Sequence, residues 1–207
     1  MFTGLVHGIA LLTSIKKKNR FHTYQVTFPS YLLYSLKIGD SIANNGCCLT
    51  VTKIKNNDVS FDVMKATLET TNFPFLPLYS GINIERSLKF GDEIGGHIVS
   101  GHIMTTAKVL KIEFSKNNRK IFFQINNLIV MKYIFLKGFI AIDGVSLTVN
   151  TIYKNTFSVC LIPETIRSTN FNKKNIGDVV NIEVDYYTQI IIEKLDQYLC
   201  QKNFLLK

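Results

Sequence analysis

The chain writes one hairpin twice. Ser41-Ile-Ala-Asn-Asn-Gly-Cys-Cys-Leu-Thr-Val-Thr52 returns 98 residues later as Phe139-Ile-Ala-Ile-Asp-Gly-Val-Ser-Leu-Thr-Val-Asn150, with six identities in twelve positions. Asn45-Gly46 and Asp143-Gly144 hold the same place in each copy. Such pairs tolerate positive φ at both turn residues, which predicts strand, two-residue turn, strand. Beyond the turn the side chains alternate. Leu49 and Val51, like Leu147 and Val149, belong on a core-facing side, and Cys48, Thr50 and Thr52, like Ser146 and Thr148, on the other. Small polar groups on that second face leave the backbone open to a flat ligand. A merely solvated strand face has the same composition, so the repetition is what favours a ligand.

The offset holds outside the hairpin. Val59-Ser-Phe61 answers Phe157-Ser-Val159, and Thr67 with Thr71-Asn-Phe73 answers Thr165 with Thr169-Asn-Phe171. Ile82-Asn-Ile-Glu85 answers Val180-Asn-Ile-Glu183. Near the start the offset is 97, with Thr3-Gly-Leu-Val6 against Ser100-Gly-His-Ile103. The predicted division is therefore 1–97, 98–186 and an unrepeated 187–207, each repeat being large enough to bury its own core. Short alternating runs such as Tyr24, Val26 and Phe28, with turn signals between them, predict a small antiparallel barrel or sandwich per repeat. Short helices are expected from Pro29 to Leu36, from Lys65 to Thr70, near Leu128 to Leu136 and from Pro163. The stretch Gly91 to Gly96 is too rich in glycine for regular structure. After Asp185, Ile190, Ile191, Leu195, Tyr198, Leu199 and Cys200 recur at helical spacing, and an amphipathic terminal helix must cover either its own barrels or like helices in an oligomer.

Composition excludes more than it assigns. The net charge of +9 invites nucleic acid, but the lysines are scattered and sit beside asparagines in turns, as in Lys116-Asn-Asn-Arg119, with no basic helix, zinc pattern or stacking motif. No apolar run approaches the roughly 20 residues that span a bilayer, and no signal peptide opens the chain, so no membrane partner is expected. Cys47 and Cys48 are adjacent, and Cys160 and Cys200 have no motif spacing, which predicts reduced thiols in a cytoplasm.

In order along the chain stand Met1-Phe-Thr-Gly-Leu-Val6, Asn45-Gly-Cys-Cys-Leu-Thr-Val51, Gly95-Gly-His-Ile-Val-Ser-Gly-His-Ile103, Lys137-Gly138, Ile142-Asp-Gly-Val-Ser-Leu-Thr148 and Leu161-Ile-Pro-Glu-Thr165. End to end, the sequence resembles the riboflavin synthase family of lumazine-binding double-barrel enzymes. The resemblance implies an all-β fold of two tandem Greek-key six-stranded β-barrels with a C-terminal α-helix that assembles a homotrimer. It implies no metal and no organic cofactor. The reaction passes a four-carbon unit between two identical 6,7-dimethyl-8-ribityllumazine molecules, so two matching pockets are needed, one barrel from each of two subunits. The family often has Ile where Leu5 stands and an acidic residue where His7 stands.

By motif, one pocket takes Gly4, Leu5, Val6, Cys48, Leu49, Thr50, Asp62, Val63, Met64, Lys65, Ala66 and Thr67. The other takes Gly101, His102, Ile103, Lys137, Ser146, Leu147, Thr148, Leu161, Ile162, Pro163, Glu164 and Thr165. The resemblance points to His102, Ser146, Thr148, Cys48 and Phe2 for catalysis, supported by Asp143 and Asp185. Each has a plain rival. Asn45 and Asp143 suit a turn whatever their chemistry, Cys48 suits a core, and Phe2 suits packing. His97 and His102 lie five apart, but a third ligand is missing and zinc asks for more. A non-catalytic lumazine- or flavin-binding antenna protein of the same fold is the alternative reading.

Overall fold

The computed structural model describes residues 1–116 and 118–205. The first repeat folds as β1 (Gly8–Lys17), β2 (Phe21–Thr27), β3 (Ser41–Asn44), β4 (Cys47–Lys55), β5 (Asp58–Met64), α1 (Lys65–Thr70) and β6 (Gly81–Arg86). The second gives β7 (Thr105–Phe114), β8 (Arg119–Ile125), β9 (Phe139–Ile142), β10 (Val145–Tyr153), β11 (Thr156–Leu161), α2 (Pro163–Ser168) and β12 (Val179–Val184), and α3 (Tyr186–Leu205) ends the chain. Each set of six antiparallel strands closes into a barrel, ordered β1-β2-β5-β4-β3-β6 and β7-β8-β11-β10-β9-β12 around the ring. Closure leaves no open sheet edge.

Both duplicated hairpins form as the turn residues dictate, with φ of 45° and 80° at Asn45 and Gly46, and 45° and 78° at Asp143 and Gly144. Register shifts recur at equivalent places: Leu12/Ser14 in β1 answers Val109/Lys111 in β7, and Val51/Lys53 in β4 answers Val149/Thr151 in β10. Such bulges bend a strand and tighten its twist, which a six-stranded barrel needs in order to close. The segments after Pro29 and Asn127 differ from expectation, forming only 3-10 turns at Ser30–Leu32 and Leu128–Tyr133. The chain there has to reverse into the next strand, passing through left-handed Lys137 at φ 66° in the second case, and a longer helix would overshoot.

Inward residues make two separate cores. Leu12, Tyr24, Val26, Phe28, Phe61, Val63, Ile82 and Ile84 fill the first barrel, and Val109, Ile121, Phe123, Phe157, Val159, Phe171 and Ile182 the second. Several contacts join the barrels, two of them along the line between the repeats. Residues 1–3 pair antiparallel with residues 97–99, through Phe2 N–H to Val99 O at 2.8 Å, Val99 N–H to Phe2 O at 3.0 Å and His97 N–H to Thr3 O at 3.1 Å. The other contact is a seam where the two hairpin tips, Gly46 and Gly144, press together.

The seam is a buried polar network. The Asn45 Oδ1 accepts from Asn83 N–H (2.8 Å) and Asn170 Nδ2 (3.1 Å), while Asp143 Oδ1 accepts from Asn181 N–H (2.8 Å) and Asn72 Nδ2 (3.0 Å). Asn83 Nδ2 donates to Asp143 O at 3.0 Å, and Asn181 Nδ2 to Asn45 O at 2.8 Å. The pseudo-two-fold symmetry breaks where Asp143 Oδ2 lies 2.6 Å from Lys174 Nζ and the equivalent residues are Asn45 and Leu76. Although Asn45 Nδ2 and Asn72 Oδ1 have no partner among the described residues, rotating one barrel against the other would unpair the groups that do, at about 1–3 kcal/mol each, so the network favours one orientation of barrel on barrel.

Candidate functional site

The polar faces of β4 and β10 point away from the cores, as the alternation predicts. Cys48 and Ser146 are half-buried and Thr50 and Thr148 exposed, while Leu49 and Val51, like Leu147 and Val149, are buried. What covers these faces is not what the motif grouping implied. Gly4 O accepts from Ser146 N–H at 2.8 Å, and Gly101 O accepts from Cys48 N–H at 2.9 Å. Val6 packs against the second barrel's core, and Ile103 against the first's. The leading loop of each barrel thus crosses to the other. Gly4, Leu5 and Val6 join Ser146, Leu147 and Thr148, whereas Gly101, His102 and Ile103 join Cys48, Leu49 and Thr50. The paired segments 1–3 and 97–99 lie on the pseudo-two-fold axis and carry each loop past it, which chain order does not reveal.

The crossing needs backbone in close approach. Gly4 and Gly101 have φ of 76° and 86°, and a Cβ on either would strike the Cβ of Ser146 or of Cys48. Only glycine satisfies both demands.

The Ser146 side has the better-defined chemistry. His97, almost fully buried, places Nδ1 2.6 Å from Ser146 Oγ and stacks on Phe139 with ring centroids 5.1 Å apart. Its Nε2 is buried with no hydrogen-bond partner among the described residues. Burial lowers the His97 pKa from 6.5, and the Asp185 carboxylate pulls partly the other way. A neutral imidazole against a serine hydroxyl is the arrangement that moves a proton off that oxygen. Sequence reasoning weighed His97 only as a metal ligand. It has no counterpart in the first repeat, and that asymmetry was the available signal. Among the described residues no group of three or more His, Cys, Asp or Glu side chains is placed to hold a metal ion.

Other candidates fall in varied places. Asp62 is exposed at the rim beside Met64, Lys65 and Ala66, with its Oδ1 accepting from Thr23 Oγ1 at 2.7 Å, and Thr67 begins to turn inward while Val63 is buried. At the other rim Ile162, Pro163 and Glu164 are exposed, Thr165 is half-buried and Leu161 is buried, and Glu164 forks with Arg167 at 2.7 and 2.8 Å. Lys137 is exposed. His102 is exposed beside Ser100, Met104, Glu183 and Tyr186 in a cleft of about 230 Å³, on the Cys48 side and not beside Ser146. Three residues assigned to catalysis hold structural positions. Asp143 is fully buried in the seam. Phe2 is fully buried among Ala43, Val99 and Ala141, supporting the Gly101 crossing. Asp185 caps α3, its Oδ2 accepting from Thr188 N–H at 2.8 Å and Oγ1 at 2.7 Å, and its carboxylate also acts on His97 through its field.

Fold and site together define a paired-barrel protein with one matching polar face per barrel. The lumazine binding domain model matches residues 3–87 and 100–185, one match per barrel, and the chain belongs to that family. It is 57% identical to the riboflavin synthase of Buchnera aphidicola subsp. Schizaphis graminum over 93% of both chains. It is 51% identical to that of Escherichia coli (strain K12) over 98% of this chain and 95% of the relative. Among solved structures, LumP complexed with riboflavin superposes with a TM-score of 0.83 at 29% identity, covering 89% of this chain and all of LumP.

Proposed function

We infer that this chain carries out the riboflavin synthase reaction: two 6,7-dimethyl-8-ribityllumazine molecules yield riboflavin and 5-amino-6-(ribitylamino)uracil by transfer of a four-carbon unit. The observation that carries this is the duplicated, crossed polar face, joined to 51–57% identity with riboflavin synthases over nearly the full chain. Donor and acceptor are the same molecule, so the protein holds it twice, and similar but unequal faces do so. Holding two reactants in register removes up to about 7–11 kcal/mol of barrier. The antenna reading keeps LumP's likeness, at 28–29% identity, but leaves the His97–Ser146 contact without a task.

In this reading Ser146, relieved of its proton by His97, and Thr148 work at one face, with Leu147, Leu5, Lys137 and the Leu161–Thr165 rim seating the ring and ribityl chain. Cys48, His102, Thr50 and the Asp62–Thr67 rim serve the second molecule. The faces lie open on the barrels: a cleft of about 690 Å³ lined by His7, Tyr31, Arg86 and Asp92 includes neither Cys48 nor Ser146. An open face suits completion by the opposite barrel of a neighbouring copy. A homotrimer built through α3 supplies that neighbour, and Ile191, Leu195, Tyr198 and Leu199 are exposed on the helix of this single chain. Residues 1–97, 98–186 and 187–207 are then two binding barrels and an assembly helix. Four free cysteines fit a cytoplasmic setting.

The reaction needs neither metal nor organic cofactor. Purified protein given the lumazine, a chelator and nothing else is expected to form riboflavin. Lumazine binding with no riboflavin formed would establish the antenna reading instead.

A further inference from the structure

The Asn-Ile-Glu triplet stands in both repeats, yet its glutamates touch neither polar face. Glu85 on β6 and Glu183 on β12 are almost fully buried. Glu85 Oε1 accepts from Thr3 N–H at 2.6 Å and Thr3 Oγ1 at 2.8 Å, and its Oε2 accepts from Gly4 N–H at 3.1 Å. Glu183 repeats this with Ser100 N–H at 2.7 Å, Ser100 Oγ at 2.8 Å and Gly101 N–H at 3.1 Å. A buried carboxylate is costly unless donors surround it. Here all the donors belong to one short loop, which is the loop that crosses to the other barrel. Burial raises both pKa values above 4.5, with the loop's own donors as the main opposing cause.

We propose that Glu85 and Glu183 are positioning residues that act crosswise: Glu183, in the second barrel, sets the Gly101 loop over the Cys48 face of the first, and Glu85 sets the Gly4 loop over the Ser146 face of the second. The inference rests on the functional reading above and deepens it. Each carboxylate holds the backbone N–H of the glycine whose carbonyl, one peptide on, accepts the N–H of Cys48 or Ser146. The chain of contacts is three residues long, so a shift at the carboxylate moves the lid on the opposite face by a similar distance. Geometric errors near 1 Å in substrate-positioning groups cost on the order of 100-fold in rate. Through these clamps, each ligand face is built from both barrels even within one chain.

The glutamine variants keep size and fold while removing one acceptor and placing an NH2 against backbone donors. Cys48 offers a face-specific reporter, because alkylation of its half-buried thiol is read by peptide mass spectrometry with fragmentation. Its neighbour Cys47 stays silent, since burial pushes that thiol up to about 12. In the wild type, 6,7-dimethyl-8-ribityllumazine is expected to protect Cys48 from alkylation. The ligand concentration for half protection should rise about tenfold in Glu183→Gln and stay within twofold in Glu85→Gln, with both variants keeping a cooperative melt. Glu85→Gln should instead lower kcat for riboflavin formation about tenfold while Cys48 protection holds. Ser100→Ala, a gentler cut of the same clamp, should raise the Cys48 value about threefold. Equal losses at Cys48 from both glutamate variants would mean general loosening and overturn the proposal, as would loss in Glu85→Gln alone or in neither. If wild-type protein binds the lumazine without turnover, the enzymatic reading fails while the Cys48 comparison still decides the clamp.

Discussion

The His97–Ser146 contact is where one side chain changes what another can do. The ring accepts the hydroxyl proton only while neutral, and burial lowers its pKa from 6.5, so the competent form is full above 6.5 and lost as pH falls through the lowered value. Turnover is therefore expected to have an acid limb below pH 6.5. His97→Gln should lower kcat about 100-fold and abolish that limb, with KM changed little; an unchanged acid limb in His97→Gln would remove the ring from the chemistry. The stability linkage has the same sign. A histidine kept neutral by folding contributes stability that is complete above 6.5 and declines as pH drops below it, because the unfolded chain then binds the proton the folded one refuses. In the sequence only the lack of a counterpart in the first repeat singled His97 out; the contact itself was not legible. His97 and Ser146 are 49 residues apart and share no periodicity, so only the loop's path brings the ring over the hydroxyl.

At the scale of elements, the paired hairpins were legible in full and their purpose only in part. Asn-Gly and Asp-Gly specify the turn, but the seam that buries both tips makes Asp143 a structural anion paired with Lys174. Asp143→Ala strands Lys174 together with the donors of Asn181 and Asn72. It should cost about 3–5 kcal/mol, the usual loss when one partner of a buried ion pair is removed. The first repeat supplies the compensation, since Asn45 and Leu76 hold the equivalent places. Asp143→Asn combined with Lys174→Leu should recover most of that loss. Both are checked by denaturant midpoint at constant m-value, and a double variant as unstable as Asp143→Ala would show that the network does not tolerate the first repeat's solution. The terminal helix is a second element with an unmet face. Tyr133 Oη donates to Glu193 at 3.1 Å and Lys132 pairs with Asp196 at 2.7 Å, so one side of α3 rests on the second barrel. Deleting residues from Thr188 onward should leave both barrels folded and disperse the oligomer in sedimentation. A truncated protein that still sediments as a trimer would place assembly elsewhere.

For the molecule as a whole, the surplus of +9 is the one global property without a local task. The lysines that line its turns are exposed and dispersed, so nucleic acid should bind weakly, without sequence preference, and be released as salt rises toward physiological strength. Retention measured by filter binding at 150 mM salt, about the physiological value, would overturn that expectation. No helix among the described residues is long and apolar enough to cross a membrane.

By itself the sequence determined two repeated antiparallel units, the place and type of the duplicated hairpins, and the side of each strand that faces the core. These follow from alternation and turn chemistry, which act over a few residues and so are written locally. Only the tertiary structure decided which loop covers which face, why the asparagines recur, where the repeated glutamates point, and that Phe2 and Asp143 are fully buried while Asp185 caps the terminal helix. Those outcomes depend on how one barrel is rotated against the other. That rotation is set by contacts such as Asn72 with Asn181 and Gly4 with Ser146, between residues more than 100 positions apart, and no short-range pattern encodes it.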